Sequence, residues 1–263
     1  MDESSEKSKE KSNEEIQNPP ETKGAKIKKA LYLIPNTLGN NDWQKVLPSY
    51  NNQIIKGIKH FIVESRKEAV RFLVRTDKSI SIKDLSFYEL NEHTDLKNIG
   101  HYLDPIIKQK LPMGVISDAG CPAVADPGAA VVQMAQKKNV DVIPLVGPSS
   151  IIMSVMASGF NGQSFAFNGY LPVKANERIS RLHQLENKVY KENQTQLFIE
   201  APYRNLQMLS SITHSLKKET LLCIAAGITT ENEYIHTHTI DEWKKIENPP
   251  IQKVPAIFLI YHQ

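Results

Sequence analysis

The residues best placed to do chemistry sit in the run VISDAGCPAVADPG, from Val115 to Gly128, where an apolar stretch breaks into two turns, Asp118-Ala119-Gly120 and Asp126-Pro127-Gly128. Glycine lets main chain approach a ligand closely and aspartate orders the turn around it. Such an edge can therefore hold a small molecule largely through backbone N–H and C=O groups. A second edge follows at Gly147-Pro148-Ser149, after the apolar run 140–146. One such turn is ordinary punctuation; two at neighbouring strand ends mark a crevice. Neither G-x-G-x-x-G nor G-x-x-x-x-G-K-[ST] occurs, which argues against dinucleotide oxidoreductases and P-loop enzymes. Cys121 lies within the first edge and is read as small filler, because a buried thiol is commonly inert. Cys121 and Cys223 are the two cysteines of the chain, too few for a disulfide framework, and no Cys/His spacing suggests a metal. His236 and His238 alternate along an expected strand and are read as part of a solvated face.

Those edges need strands to carry them. Apolar runs predict strands at 30–34, 60–63, 85–88, 113–116 and 140–146, with helices around Ala69, Phe72 and Leu73, over 96–110, and from Ala129 with Val131, Val132 and Ala135 inward. Strand and helix alternate, which implies a doubly wound, mainly parallel sheet. Beyond Gly147 comes a helix capped by Ser149 or Ser150. A strand near 165–167, a helix over 177–186 and strands at 196–199, 222–225, 234–236 and 256–260 then predict a second α/β domain with a mixed sheet. The expected divisions are a charged tail at 1–26, an N-terminal domain at 27–146 and a C-terminal domain at 147–263, with the ligand cleft between the two.

Four segments in register, SDAGCPAVADPG, PLVGPSS, ASGF and FAFNGYLPVKANER, resemble the tetrapyrrole methylase superfamily, and more closely its ribosomal RNA small subunit methyltransferase I branch. The likeness spans about residues 28–240 and implies the two-domain tetrapyrrole methylase fold and methyl transfer from S-adenosylmethionine. By this resemblance the cofactor lies among Pro35, Gly39, Asp118, Ala119, Gly120, Pro122, Ala125, Asp126, Pro148 and Ser149, with Tyr170, Leu171, Ala226 and Ile228 from the second domain. The resemblance also places Glu64 after the second strand and Glu89, Asn91 and Glu92 after the third as acceptor-side catalytic candidates. For each of these, solvated loop charge is the competing explanation. It further implies a cytoplasmic homodimer acting on ribosomal RNA or the small ribosomal subunit, most plausibly at a ribose 2′-hydroxyl.

The chain departs from that branch on the acceptor side. Ile34-Pro35-Asn36-Thr37-Leu38-Gly39-Asn40 replaces a shorter turn, Glu64-Ser65-Arg66-Lys67 replaces an acidic pair followed by Thr-Arg, and Ala225-Ala226-Gly227-Ile228-Thr229 stands where the branch carries an Arg-Glu pair. Three readings therefore stand beside one another: ribosomal RNA methylation, methylation of another RNA or a tetrapyrrole-like small molecule, and non-catalytic binding of S-adenosylmethionine.

Composition narrows little further. The 263 residues are 40% hydrophobic with a net charge of +3, enough for two cores and a weak basic bias, short of a committed nucleic-acid surface. Lys174, Arg178 and Arg181 share a helix face and could meet phosphate. Tyr203-Arg204 resembles a family element at the acceptor entrance. The tail alternates Glu, Lys and Ser, so it is expected to be disordered, and it lacks the apolar core of a signal peptide. No apolar run is long enough to span a membrane.

Overall fold

A computed structural model describes residues 27–39 and 42–262. The tail expected at 1–26 and Asn40 of the first loop lie outside the described residues. The first sheet comprises β1 (Leu31–Ile34), β2 (His60–Val63), β3 (Ser86–Glu89), β4 (Met113–Ile116) and β5 (Val142–Pro144). All pair in parallel, in the order β3-β2-β4-β1-β5. Side chains alternate across it with period two. Tyr32, Ile34, Phe61 and Val63 pack with Ile54 and Ile55 of α1 (Ser49–Lys56) and with Ala69, Phe72 and Leu73 of α2 (Arg66–Thr76). Leu31, Ile62, Met113 and Val115 pack on the opposite face with Ile106 of α3 (Asp104–Ile107) and with Val131 and Ala135 of α4 (Ala129–Lys137). Each large side chain so buried contributes about 1.5–3 kcal/mol.

The register sets the working edge. Ile34, Ile116, Val63 and Glu89 form one row across β1, β4, β2 and β3, so the loops leaving these strands begin side by side. The chain leaves β1 toward β2 and leaves β4 toward β5, in opposite directions across the sheet. That reversal opens a crevice beyond the carboxyl ends of β1 and β4.

The second sheet follows α5 (Ser150–Ser158), which Ser149 caps by accepting the Ile152 N–H and Gly159 ends in the left-handed region at φ 78°. Its strands are β6 (Phe165–Tyr170), β7 (Thr195–Ile199), β8 (Leu221–Ala226), β9 (Tyr234–Thr239) and β10 (Ala256–Tyr261). They run in the order β6-β7-β10-β8-β9, with β6 and β7 parallel and the remaining pairs antiparallel. One face is covered by Leu182 and Val189 of α6 (Ala175–Glu192), Met208 and Ile212 of α7 (Asn205–Ser215) and Trp243 of α8 (Ile240–Trp243). The Trp243 indole N–H donates to the Leu222 carbonyl at 2.8 Å, so the largest buried side chain is satisfied. The other face takes α5 and, from the loop after β1, Leu38, which packs with Ala225, Ile228 and Ile257. The doubly wound parallel sheet followed by a mixed one is as the sequence implies.

Three details differ from expectation. Residues 96–110 form no continuous helix but a 3-10 turn, Leu96–His101, and the short α3. Gly100 costs backbone entropy within that stretch, and Pro105 cannot donate from a helix interior and instead occupies the first turn of α3. The helix expected over 177–186 extends to Ala175–Glu192. Arg178 does not share an open face with Arg181: it is buried, donating from Nε to Ser211 Oγ at 3.0 Å and from Nη1 to the Val173 carbonyl at 2.7 Å.

Candidate functional site

The loop after β1 is tied to the loop after β4 by one asparagine. Asn36 donates from Nδ2 to the carbonyls of Ser117 and Asp118, at 3.2 and 3.1 Å, and its own N–H donates to the Gly120 carbonyl at 2.9 Å. Thr37 closes the turn, its hydroxyl donating to the Gly39 carbonyl at 2.7 Å. The loop after β4 is braced by Asp126, whose Oδ1 accepts the Ala123 and Gly128 N–H groups at 3.0 and 2.7 Å. Ala123 and Ala125 sit at φ 67° and 53°, a region that costs a non-glycine residue roughly 1–3 kcal/mol and needs such bracing.

A cleft of about 610 Å³ lies between these loops and the second sheet, within the range usual for small-molecule sites. From the first domain it takes Leu38, Gly39, Ala119, Gly120, Cys121 and Val124. Ser149 to Ile151 and Tyr170 line its middle, and the strand ends Ile199, Glu200, Ala225, Gly227, Ile228 and Ile257 line its far wall. The rim at Lys253-Val254-Pro255 is positioned by buried Asn205, whose Nδ2 donates to the carbonyls of Ile251 and Val254 at 2.8 and 2.7 Å. Gly227 is required at its position: it has φ 60°, and a Cβ would stand 2.8 Å from the Asn232 carbonyl oxygen. Glu200 is held by Arg204, which donates from Nε at 2.9 Å and from Nη2 at 2.5 Å. This pair raises Arg204 above its ordinary pKa.

Of the residues the sequence proposed around a cofactor, Gly39, Ala119, Gly120, Ser149, Tyr170 and Ile228 line this cleft. Asp118 instead lines a second cavity, of about 700 Å³, which shares Leu38, Gly39 and Ala119 with the first. Partial burial raises the Asp118 carboxyl, Glu68 and Asp126 adding to the effect against a backbone N–H of Ser65. Pro35, Pro122, Pro148, Leu171 and Ala226 lie behind the surface, whereas Ala125 is exposed and Asp126 half-buried. Pro35 packs against Gly147, Pro148 is buried and offers its carbonyl to the Cys121 thiol, and Pro122 is buried. Leu171 and Ala226 belong to the core of the second domain, and Ala125 and Asp126 belong to the braced turn.

The four acceptor-side candidates stand apart from both cavities. Glu64, at the end of β2, faces Asp126 across a small hollow. Burial raises its carboxyl above the usual range, with Asp118, Asp126 and Glu92 adding negative charge while the backbone N–H of Asp118 opposes the rise. Glu89 ends β3 and is exposed, its carbonyl accepting the Tyr102 hydroxyl at 2.7 Å. Asn91 spends its side chain on its own turn, accepting the His93 N–H at 3.0 Å. Glu92 is exposed beside His93.

Sequence reasoning missed Thr230-Glu231-Asn232 and Lys253-Val254-Pro255. Glycine and proline punctuated both turns, but only the pairing of β8 with β10, and the Gly227 N–H donated to the Pro255 carbonyl at 2.9 Å, bring them together.

Comparison with other proteins gives a consistent picture. No protein-family model matches the chain. Ribosomal RNA small subunit methyltransferase I of Vibrio cholerae is 28% identical over 207 residues, covering 78% of this chain and 67% of that protein. The protein of the same name from Buchnera aphidicola subsp. Schizaphis graminum is 27% identical over 235 residues, covering 88% and 77%. Among solved structures, the methyltransferase CobJ superposes with a TM-score of 0.58 over 89% of this chain and 94% of its own, at 10% identity, a likeness of fold. Alike in sequence to one group of methyltransferases and in two-domain fold to another, the chain has the two-domain fold of the tetrapyrrole methylases and is a methyltransferase.

Proposed function

We propose that the chain uses S-adenosylmethionine to methylate a ribose 2′-hydroxyl of small-subunit ribosomal RNA, as a cytoplasmic homodimer. The observation that carries the donor assignment is the construction of the 610 Å³ cleft from backbone, glycines and aliphatic side chains at the switch point of the first sheet. A donor with an amino acid end, an adenosine end and a sulfonium between them needs main-chain hydrogen bonds at its ends and an apolar slot at its centre. The residues present fit it. Gly39, Ala119, Gly120 and Gly227 expose backbone, and Leu38, Ile199, Ile228 and Ile257 supply the apolar wall. When bound, such a donor supplies an already activated methyl group. The chain has to align the acceptor and exclude water. Leu38 does the second by bridging the loop after β1 to the second-sheet core.

Glu64 is the acidic candidate that bears on the loop after β4, and its raised pKa suits proton exchange nearer neutrality. The ribosomal RNA acceptor rests on the sequence relatives named above. Dimerisation is supported by Ile152 and Met156, four residues apart on α5 and 47% and 77% exposed. Among the described residues no helix is long and apolar enough to cross a membrane. The deciding experiment is calorimetry with S-adenosylmethionine followed by transfer of labelled methyl to small ribosomal subunits lacking the modification. Binding with label on a single ribose supports the reading; absence of binding overturns it.

A further inference from the structure

The second cavity, between α2 and the loops after β1 and β4, is lined by two arginines one helical turn apart on the same face, Arg71 and Arg75. It meets the donor cleft at Leu38, Gly39 and Ala119, where a methyl acceptor has to approach. We propose that this cavity admits the RNA strand and that Arg71 and Arg75 hold a phosphodiester beside the nucleotide being methylated. This rests on the RNA reading given above and assigns two residues that the sequence likeness did not single out.

The two guanidiniums differ in their state. Arg75 is anchored through Nη2, which donates to Thr37 Oγ1 at 2.9 Å and to Asn36 Oδ1 at 3.5 Å. Its Nε is buried without a hydrogen-bond partner among the described residues. Arg71 has a side chain 65% exposed and gives Nη1 to both oxygens of Glu68, at 3.0 and 3.2 Å. That surface pair is readily exchanged, since exposed ion pairs add little stability. A phosphate offers the exposed planar fork of Arg71 a bidentate partner, with the anchored Arg75 adding its charge beside it. The acids facing the cavity are Glu68 and Asp118. The first is the partner to be displaced, and partial burial makes the second easier to protonate than an ordinary aspartate.

The test measures binding of small-subunit ribosomal RNA, transcribed in vitro and hence unmethylated, to full-length wild type, Arg71→Gln and Lys137→Gln over a range of salt. Lys137 lies on α4, away from the cavity, and controls for loss of one positive charge. Arg71→Gln is expected to weaken binding about tenfold and to reduce the salt slope by about 1, as removal of one phosphate contact does. Its affinity for S-adenosylmethionine should be unchanged, and Lys137→Gln should bind RNA as wild type does. Arg71→Gln binding with wild-type affinity and slope, or a loss equalled by Lys137→Gln, overturns the phosphate site alone. Wild type that neither binds nor methylates the RNA overturns the RNA reading itself, and the phosphate site with it.

Discussion

Arg75 on α2 donates to the hydroxyl of Thr37, 2.9 Å away, in the loop after β1. A helix that packs the first-sheet core thereby holds the loop whose next residues, Leu38 and Gly39, form the boundary between the two cavities. The arrangement ties the geometry of one cavity to that of the other.

Gly120 has φ 65°, and a Cβ there would lie 3.1 Å from Leu38 Cδ2. Gly120→Val places a branched side chain in a strained backbone region and forces it into the cleft. It should weaken S-adenosylmethionine binding by roughly tenfold or more while the protein remains folded. Titration calorimetry beside a thermal melt measures both, and unchanged affinity in a folded variant removes the donor from this cleft.

Glu64→Gln should slow methyl transfer while sparing donor affinity. Because burial and neighbouring acids raise the Glu64 carboxyl, wild-type transfer should increase with pH through that raised value, and the variant should lack the inflection. Stability carries the opposite sign. A carboxyl whose folded pKa lies above its unfolded value binds more protons when folded, so its ionisation costs stability at higher pH. Glu64→Gln should therefore melt higher than wild type at pH 8, with the difference vanishing at pH 4. Identical pH–rate profiles for the two proteins remove Glu64 from the proton path.

Arg178→Ala leaves Ser211 Oγ and the Val173 carbonyl without their buried donor. The loss should be about 2–4 kcal/mol of stability. Arg181→Ala, made in a side chain bonded to Asn168 and Gln184 near the surface, should cost less than about 1 kcal/mol. Denaturant unfolding of the pair distinguishes a buried tie from a surface charge, and equal losses contradict the assignment.

Met156→Glu puts a charge on the exposed apolar side of α5. If two copies meet there, light scattering should find half the wild-type mass. An unchanged dimer mass places the contact elsewhere, and a wild type of monomer mass overturns dimerisation.

Much of this was legible before any coordinates. β2 and β4 begin and end where their apolar runs do, at His60–Val63 and Met113–Ile116, because a strand buried on both faces is written as a continuous hydrophobic stretch. α1 was not legible. Its buried side includes Asn51, whose Nδ2 is satisfied by the Val146 carbonyl at 2.8 Å across the fold, a compensation invisible to local pattern. Residues 96–110 carried enough apolar side chains to suggest a helix, yet Gly100 and Pro105 divided it. In the site, the loops after β1 and β4 announced themselves through Asp, Gly and Pro. Arg75 did not, since an arginine near the end of an amphipathic helix looks like a solvated charge until Thr37 is seen beside it.

Leu38, Gly39 and Ala119 act as a septum with one side in each compartment. It carries no charge, so on the reading proposed above no side-chain charge would stand between a cationic methyl donor on one side and an anionic strand on the other. The favourable field between them would be lost when the methyl group departs and the sulfonium becomes a neutral thioether. Coupling between two binding events is reciprocal, so whatever factor the donor lends to the strand's affinity the strand lends back to the donor. On that reading the same partition would let the protein hold both partners before transfer and release both after it.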